Sequence, residues 1–263
     1  MTDTAEPLVT RARDPRGVVT LTLNRPQAFN ALSSGMLAAL QGELDVLQQD
    51  ETVRVVVLAA AGKAFCAGHD LKEMRAQPAL QYYQELFAQC SRMMLSLTRL
   101  PVPVIARVHG MATAAGCQLV AQCDLAVASS AARFAVSGVN LGLFCSTPAV
   151  PLARNVARKN AFEMLVTGEF IDAAEARARG LVNRVAEPAA LDAEIEKLLG
   201  SILAKPRVAI AMGKELFYRQ VELGLEAAYQ AAGQTMACNM MDGAALEGVQ
   251  AFIDKRAPRW GFS

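Results

Sequence analysis

Two short stretches concentrate the residues able to do chemistry. The first, Phe65 to Met74, reads FCAGHDLKEM, and the second, Gly110 to Asp124, reads GMATAAGCQLVAQCD. Each follows an apolar, β-branched run, has small residues at the junction and opens into a helical pattern. The first N–H groups of a helix have no intrahelical partner, and Ala or Gly there lets a ligand approach the backbone. Two such junctions look like the halves of an oxyanion hole. Each preorganised donor of that kind is worth about 3–4 kcal/mol to a developing negative charge. Side chains for proton or nucleophilic chemistry are scarcer. The imidazoles are His69, inside the first stretch, and His109, which reads as a hydrogen-bonded core residue at a strand end. Gln118 can orient water but carries no titrating proton. Cys145 is a nucleophile only with a lowered pKa and a base beside it, and it reads as packing, as most free thiols do. Asp70 and Asp124 read as structural carboxylates. Tyr82, Tyr83 and Phe87 lie on a helical segment after the first stretch and suit either the core or a pocket wall.

The elements that must position these residues are legible in outline. Val18 to Leu23 alternates as a strand does, and Ser33 or Ser34 then caps a helix with Leu37, Leu40, Leu44 and Leu47 on one face. Val53 to Leu58, Val102 to Val108 and Leu125 to Ala128 are continuous apolar runs, the mark of strands buried on both faces. Pro78 to Arg99 reads helical. In IDAAEARARG, Asp172 caps a short helix, Glu175 can return the hydrogen bond and Gly180 takes the left-handed closing position. Leu181 to Val185 reads as a strand, and from Ala189 onward the patterns are helical. Glu222 to Met241 is rich in Ala and Met, a surface that another subunit would cover. Strands alternating with helices imply βαβ-type units and a largely parallel sheet, with ligands near strand C-terminal ends.

Composition sets the limits. The chain has 263 residues, 53% of them hydrophobic, and a net charge of +1 from 26 Lys and Arg against 25 Asp and Glu. No dense basic stripe marks a nucleic-acid partner, and no apolar run is long enough to span a membrane. The first 17 residues carry acidic groups and no apolar core of a signal peptide, which sets a cytoplasmic location as the expectation. The six cysteines form no CxxC pair and are expected free and buried, and no imidazole has a partner at metal spacing, so no metal is expected.

NRPQAFNALS, FCAGHDLKEM, GMATAAGCQLVAQCDLAVAS, TGEFIDAAEARARGLVNRV and AFIDKRAPRW follow one another from Asn24 to Trp260. In that order they resemble the signature blocks of the enoyl-CoA hydratase/isomerase, or crotonase, family. GHDLKE, AAGCQLVA and GVNLGLFCSTP resemble its subgroup of enoyl-CoA hydratase domain-containing proteins. The resemblance implies an α/β fold, a crotonase-like spiral of ββα units over residues 1–188. A C-terminal helical trimerisation region over residues 189–263 would then give a homotrimer or a dimer of trimers. It implies a coenzyme A thioester as substrate and no bound cofactor. Its oxyanion hole would be the backbone N–H groups of His69 and Ala115. Arg25, Ala67, Asp70, Leu71 and Lys72 would lie in the coenzyme A-binding neighbourhood, and Lys63, Lys255, Arg256 and Arg259 are further phosphate candidates.

The same resemblance exposes a departure. Family hydratases use two glutamates to activate water and deliver a proton, and those positions fall on Gln118 and Gly138. One has no titrating proton and the other has no side chain. The expected protein therefore binds acyl-CoA and stabilises a thioester oxyanion or enolate, with poor hydration. The alternatives are a non-catalytic acyl-CoA binder and a CoA-independent hydrolase on the same fold.

Overall fold

The computed structural model describes residues 6–260. Strands β1 (Val9–Arg13) and β2 (Val18–Leu23) form an antiparallel hairpin with Val9 opposite Leu23. Helix α1 (Ser34–Gln48) follows, and Ser33 is its cap, accepting the Met36 N–H. Its buried Met36, Leu37, Leu40, Leu44 and Leu47 form the expected stripe.

A three-step repeat then builds the body of the protein. The first step is β3 (Val55–Ala60), β4 (Ala64–Cys66), α2 (Leu71–Ala76) and α3 (Leu80–Arg99). The second is β5 (Val104–Val108), β6 (Met111–Thr113) and α4 (Ala115–Gln122). The third is β7 (Leu125–Ser129), β8 (Arg133–Ala135), α5 (Ser146–Asn155) and α6 (Arg158–Thr167). The chain continues through β9 (Ile171–Asp172), α7 (Ala173–Ala178), β10 (Arg184–Ala186), α8 (Leu191–Leu203), α9 (Arg207–Gln220), α10 (Leu225–Met240) and α11 (Gly243–Ile253). In each step the first strand joins a six-stranded sheet, β1-β2-β3-β5-β7-β10, and the second joins a four-stranded sheet, β4-β6-β8-β9. The large sheet is parallel from β2 onward, and β4, β6 and β8 are parallel in the small one.

Burial explains the continuous apolar strands. Val19, Leu21, Val56, Leu58, Val104 and Ala106 face the main core. Their neighbours Val18, Val55, Val57, Ile105 and Val127 face the other way and are covered by Leu191, Ile195, Leu198 and Leu199 of α8. Thus α8 lies beyond residue 188, the end of the core region that the resemblance implies, yet packs on the sheet. Asp124, expected to be structural, accepts the Val104 N–H at 2.6 Å, the Lys214 ammonium at 2.6 Å and the Tyr218 hydroxyl at 2.7 Å. Lys214 also donates to the Leu97 and Val102 carbonyls, so α9 is tied to the body by a buried polar knot.

Several sequence expectations need correction. The three-residue strands β4, β6 and β8 and the strand β1 were not read, and Leu181 and Val182 are buried loop residues before β10 rather than strand. Asp172 caps α7, but the Glu175 carboxylate pairs with Arg179 instead of returning the hydrogen bond. Gly180 is left-handed at φ +87°, as expected. His109 is only half-buried, with Nε2 2.9 Å from the Gly62 carbonyl oxygen, so it links the turns of successive units rather than sitting in the core. Five cysteines are buried and Cys238 is exposed. Among the described residues no helix is long and apolar enough to cross a membrane.

Candidate active site

The C-terminal ends of β4, β6 and β8 lie side by side, and each releases its chain against the same cavity of about 410 Å³. After β4, Gly68 turns with φ +93°. A Cβ there would stand 2.9 Å from the Ala114 Cβ and 3.2 Å from the Ala115 nitrogen, so glycine alone lets the two motifs touch. Leu32 pins this loop: its N–H donates to Gly68 O at 2.8 Å, and its carbonyl accepts the Asp70 N–H at 3.3 Å. In a parallel bridge of this kind the bonds go to the neighbours of the paired residue. The His69 N–H is therefore turned to the opposite side. Asp70 then caps α2 through the Lys72 and Glu73 N–H groups and pairs with Arg25 at 2.6 Å. Burial alone would raise the Asp70 pKa, but the Arg25 guanidinium and those N–H groups hold it below the usual carboxylate range.

After β6, Ala114 adopts φ +50° and ψ −121°, an uncommon backbone for a residue with a side chain. Such strain costs about 1–3 kcal/mol. It turns the chain abruptly into α4, whose first residue is Ala115, and the Ala115 N–H has no intrahelical acceptor. Gly116 follows, and a Cβ there would lie 2.1 Å from the Cys66 carbonyl oxygen. Both His69 and Ala115 line the cavity, and neither N–H has an acceptor among the described residues.

The third wall follows β8. Gly138 donates its N–H to the Cys145 sulfur at 3.2 Å. A Cβ at Gly138 would stand 2.4 Å from the Leu143 carbonyl oxygen and 2.7 Å from that sulfur. The turn carrying Leu141, Leu143 and Phe144 thus folds into the space a longer side chain would occupy. The three are exposed, and all line the cavity. Ser137 beside them is hydrogen-bonded to Thr113 at 2.8 Å.

The sequence candidates divide accordingly. His69, Ala115, Gly138, Ala67 and Leu71 line the cavity, and so does Phe87. Gln118 does not: it is 4% exposed, one helical turn behind Ala115, and its Oε1 has no hydrogen-bond partner. Tyr82 and Tyr83 lie outside the wall, where Tyr83 donates to the Met74 carbonyl at 3.1 Å and holds α2 against α3. Lys72 is exposed, whereas Arg25 is committed to Asp70 and Arg256 to Glu247. The sequence reading missed Met74, Ser137, Leu141, Leu143 and Phe144, while Ser146 and Thr147, which it had placed near the site, do line the cavity. Apolar residues placed between glycines in GVNLGLF were the available signal for the turn.

The chemistry of the wall is sparse. The His69 Nδ1 lies 3.3 Å from the Leu32 carbonyl oxygen, and its Nε2 is closed to solvent and unpartnered. Burial lowers the His69 pKa, opposed by the Leu32 carbonyl and Glu73. The Phe87 ring stands edge-to-face at 5.4 Å. Burial raises the Cys145 thiol, and it pushes Cys66 and Cys117 up to about 12. Among the described residues no cluster of His, Cys, Asp or Glu is arranged to hold a metal.

A spiral of paired strands and helices with two open N–H groups at its strand ends defines a class. The chain matches the enoyl-CoA hydratase/isomerase family over residues 13–262, and it belongs to that family. Within it, the chain falls in the enoyl-CoA hydratase domain-containing subgroup. The rat enoyl-CoA hydratase domain-containing protein 3, mitochondrial, is 44% identical over 256 residues, spanning 97% of this chain and 85% of the relative. An enoyl-CoA hydratase structure from Mycobacterium smegmatis superposes with a TM-score of 0.96 at 69% identity, covering 97% of this chain and 99% of that one. The human enoyl Coenzyme A hydratase domain-containing protein 3 gives a TM-score of 0.92 at 43% identity, with 96% and 100% covered. The fold is thus crotonase-like, with helices in its C-terminal part. The expected cytoplasmic location is overturned, because the rat relative is named mitochondrial. That expectation came from the lack of a readable leader, and such a default contains no positive signal.

Proposed function

We propose that this protein processes acyl-CoA thioesters by stabilising an enolate or oxyanion between the N–H groups of His69 and Ala115, and that it is a poor hydratase. One observation carries the reading: two acceptor-less N–H groups front a single apolar cavity whose wall holds no carboxylate. Fixed donors in a water-poor site need no reorganisation when charge develops, and the α4 dipole adds to them. Ala67 and Leu71 lie where the thioester enters, and exposed Lys72 is the phosphate contact. Arg25 supports the loop through Asp70. No bound cofactor is required. The exposed apolar residues of α10 and α11, among them Leu225, Tyr229, Met236 and Phe252, form the contact of a homotrimer or a dimer of trimers.

Calorimetric titration with a thioether analogue of an acyl-CoA tests the binding, and hydration of crotonyl-CoA tests the chemistry. Binding with hydration far below family hydratases is expected, since each missing acid or base is worth about 10²–10⁴-fold. No binding at millimolar analogue contradicts the site, and fast hydration contradicts the role given to Gln118 and Gly138. The carboxylate-free wall also favours one second reading, an acyl-CoA binder without turnover, which predicts affinity and no reaction with any thioester.

A further inference from the structure

The wall of the cavity carries two side chains that titrate through loss or gain of a proton, His69 and Cys145. The Cys145 sulfur already accepts the Gly138 N–H, and its buried thiol stays protonated at neutral pH. His69 is the remaining group able to take and return a proton. Its tautomer is fixed by its neighbour. A carbonyl oxygen only accepts, so the Nδ1 facing Leu32 O bears the hydrogen and Nε2 bears the lone pair. That lone pair has no partner. A buried acceptor without a donor is costly, and an unpaired one in a cavity wall calls for an explanation. The same residue lines the cavity and has a backbone N–H without an acceptor, so a carbonyl bound to that N–H would lie within one side chain's reach of Nε2.

We propose that Nε2 of His69 is the proton-transfer group of this site, acting at Cα of a bound acyl thioester in place of the absent carboxylates. The proposal rests on the acyl-CoA reading above. An acyl chain entering the cavity displaces the half-buried Phe87 ring and uncovers Nε2. Nε2 then takes the Cα proton, and the C–H electron pair passes into the enolate, whose oxygen is held by the His69 and Ala115 N–H groups. With a saturated thioester, the proton on the uncovered Nε2 swaps with a solvent proton before one returns to Cα, and the net result is exchange at Cα with solvent. With a 3-enoyl thioester the proton returns instead to Cγ, and the double bond moves to the 2,3 position. No water or redox partner is consumed.

The test is deuterium incorporation at Cα of a saturated acyl-CoA in D₂O, read by mass spectrometry, beside thioether-analogue binding. His69→Asn is the informative variant. Its side-chain amide keeps an N–H for Leu32 but has no titrating nitrogen, so a purely structural role would be rescued. The wild-type protein is expected to exchange, and His69→Asn to lose about 10²–10⁴-fold with binding changed only a few-fold. His69→Ala should lose as much. The wild-type rate should be flat at neutral pH and fall in acid, through a pKa below the ordinary imidazole value of about 6.5. The groups facing the imidazole are Glu73 from α2, the Leu32 carbonyl, Phe87 from α3 and, across the cavity, Cys145. Exchange in His69→Asn at the wild-type rate overturns the proposal, as does a wild-type protein that binds the analogue and does not exchange. A wild-type protein that fails to bind the analogue removes the acyl-CoA reading, and this inference falls with it.

Discussion

Position 138 shows how a single residue shapes the wall of the cavity. Gly138 has no positive φ, so backbone freedom is not the reason that glycine stands there. It is glycine because the Leu143 carbonyl and the Cys145 sulfur occupy the place of its Cβ. A glutamate cannot enter without rebuilding the turn. Even Gly138→Ala is expected to cost about 1–3 kcal/mol, the usual range for overpacking, measured by chemical denaturation; an unchanged midpoint would contradict the packing described. Gln118 is the companion case. The family resemblance would put a hydratase glutamate there, yet the buried Gln118 amide stands behind the wall with an unpaired oxygen. Restoring one carboxylate there does not by itself restore a pair.

The elements converge because the repeat does. Each large-sheet strand is followed by a three-residue strand, and each of these ends at the cavity. Three residues are too few to display a period of two, which is why β4, β6 and β8 left no mark in the sequence although the helices after them did. The junction from β6 to α4 is the tightest of the three turns, and Ala114 bears its strain at φ +50°. Glycine adopts that backbone without a Cβ penalty. Ala114→Gly is therefore expected to leave stability unchanged or raise it by up to about 1 kcal/mol, because relief of strain outweighs the added freedom of the unfolded chain. A clear fall in denaturation midpoint would show that the Ala114 methyl, packed beside Gly68, holds the loops together.

At the scale of the molecule, two kinds of apolar surface must be distinguished. The central strands of the large sheet are covered, by α1 and α3 on the main core and by α8 on the other face. The last two helices are not covered: Leu225 is 77% exposed, Met241 78% and Phe252 85%. A hollow of about 480 Å³ between α9 and α10, lined by Phe217, Leu225 and Tyr229, belongs to the same surface. Apolar patches of this extent mark interfaces. Light scattering at micromolar concentration is expected to give the mass of three chains or six, and Phe252→Lys with Leu225→Lys to reduce it. A stable single-chain mass for the unmodified protein would contradict the trimer.

The sequence by itself determined the buried strands, the capped helices, the small residues at two helix starts and the lack of a carboxylate at positions 118 and 138. Each is local, written in periodicity or in the identity of one residue, and the order of blocks then identified the family. Tertiary structure alone decided how the site is closed. Whether Gly138 has room, whether Gln118 reaches the cavity, and which nitrogen of His69 bears the lone pair depend on Leu143, on the first turn of α4 and on Leu32. Leu32 stands 37 residues from His69, and a hydrogen bond across that distance in the chain leaves no trace in the pattern of either segment.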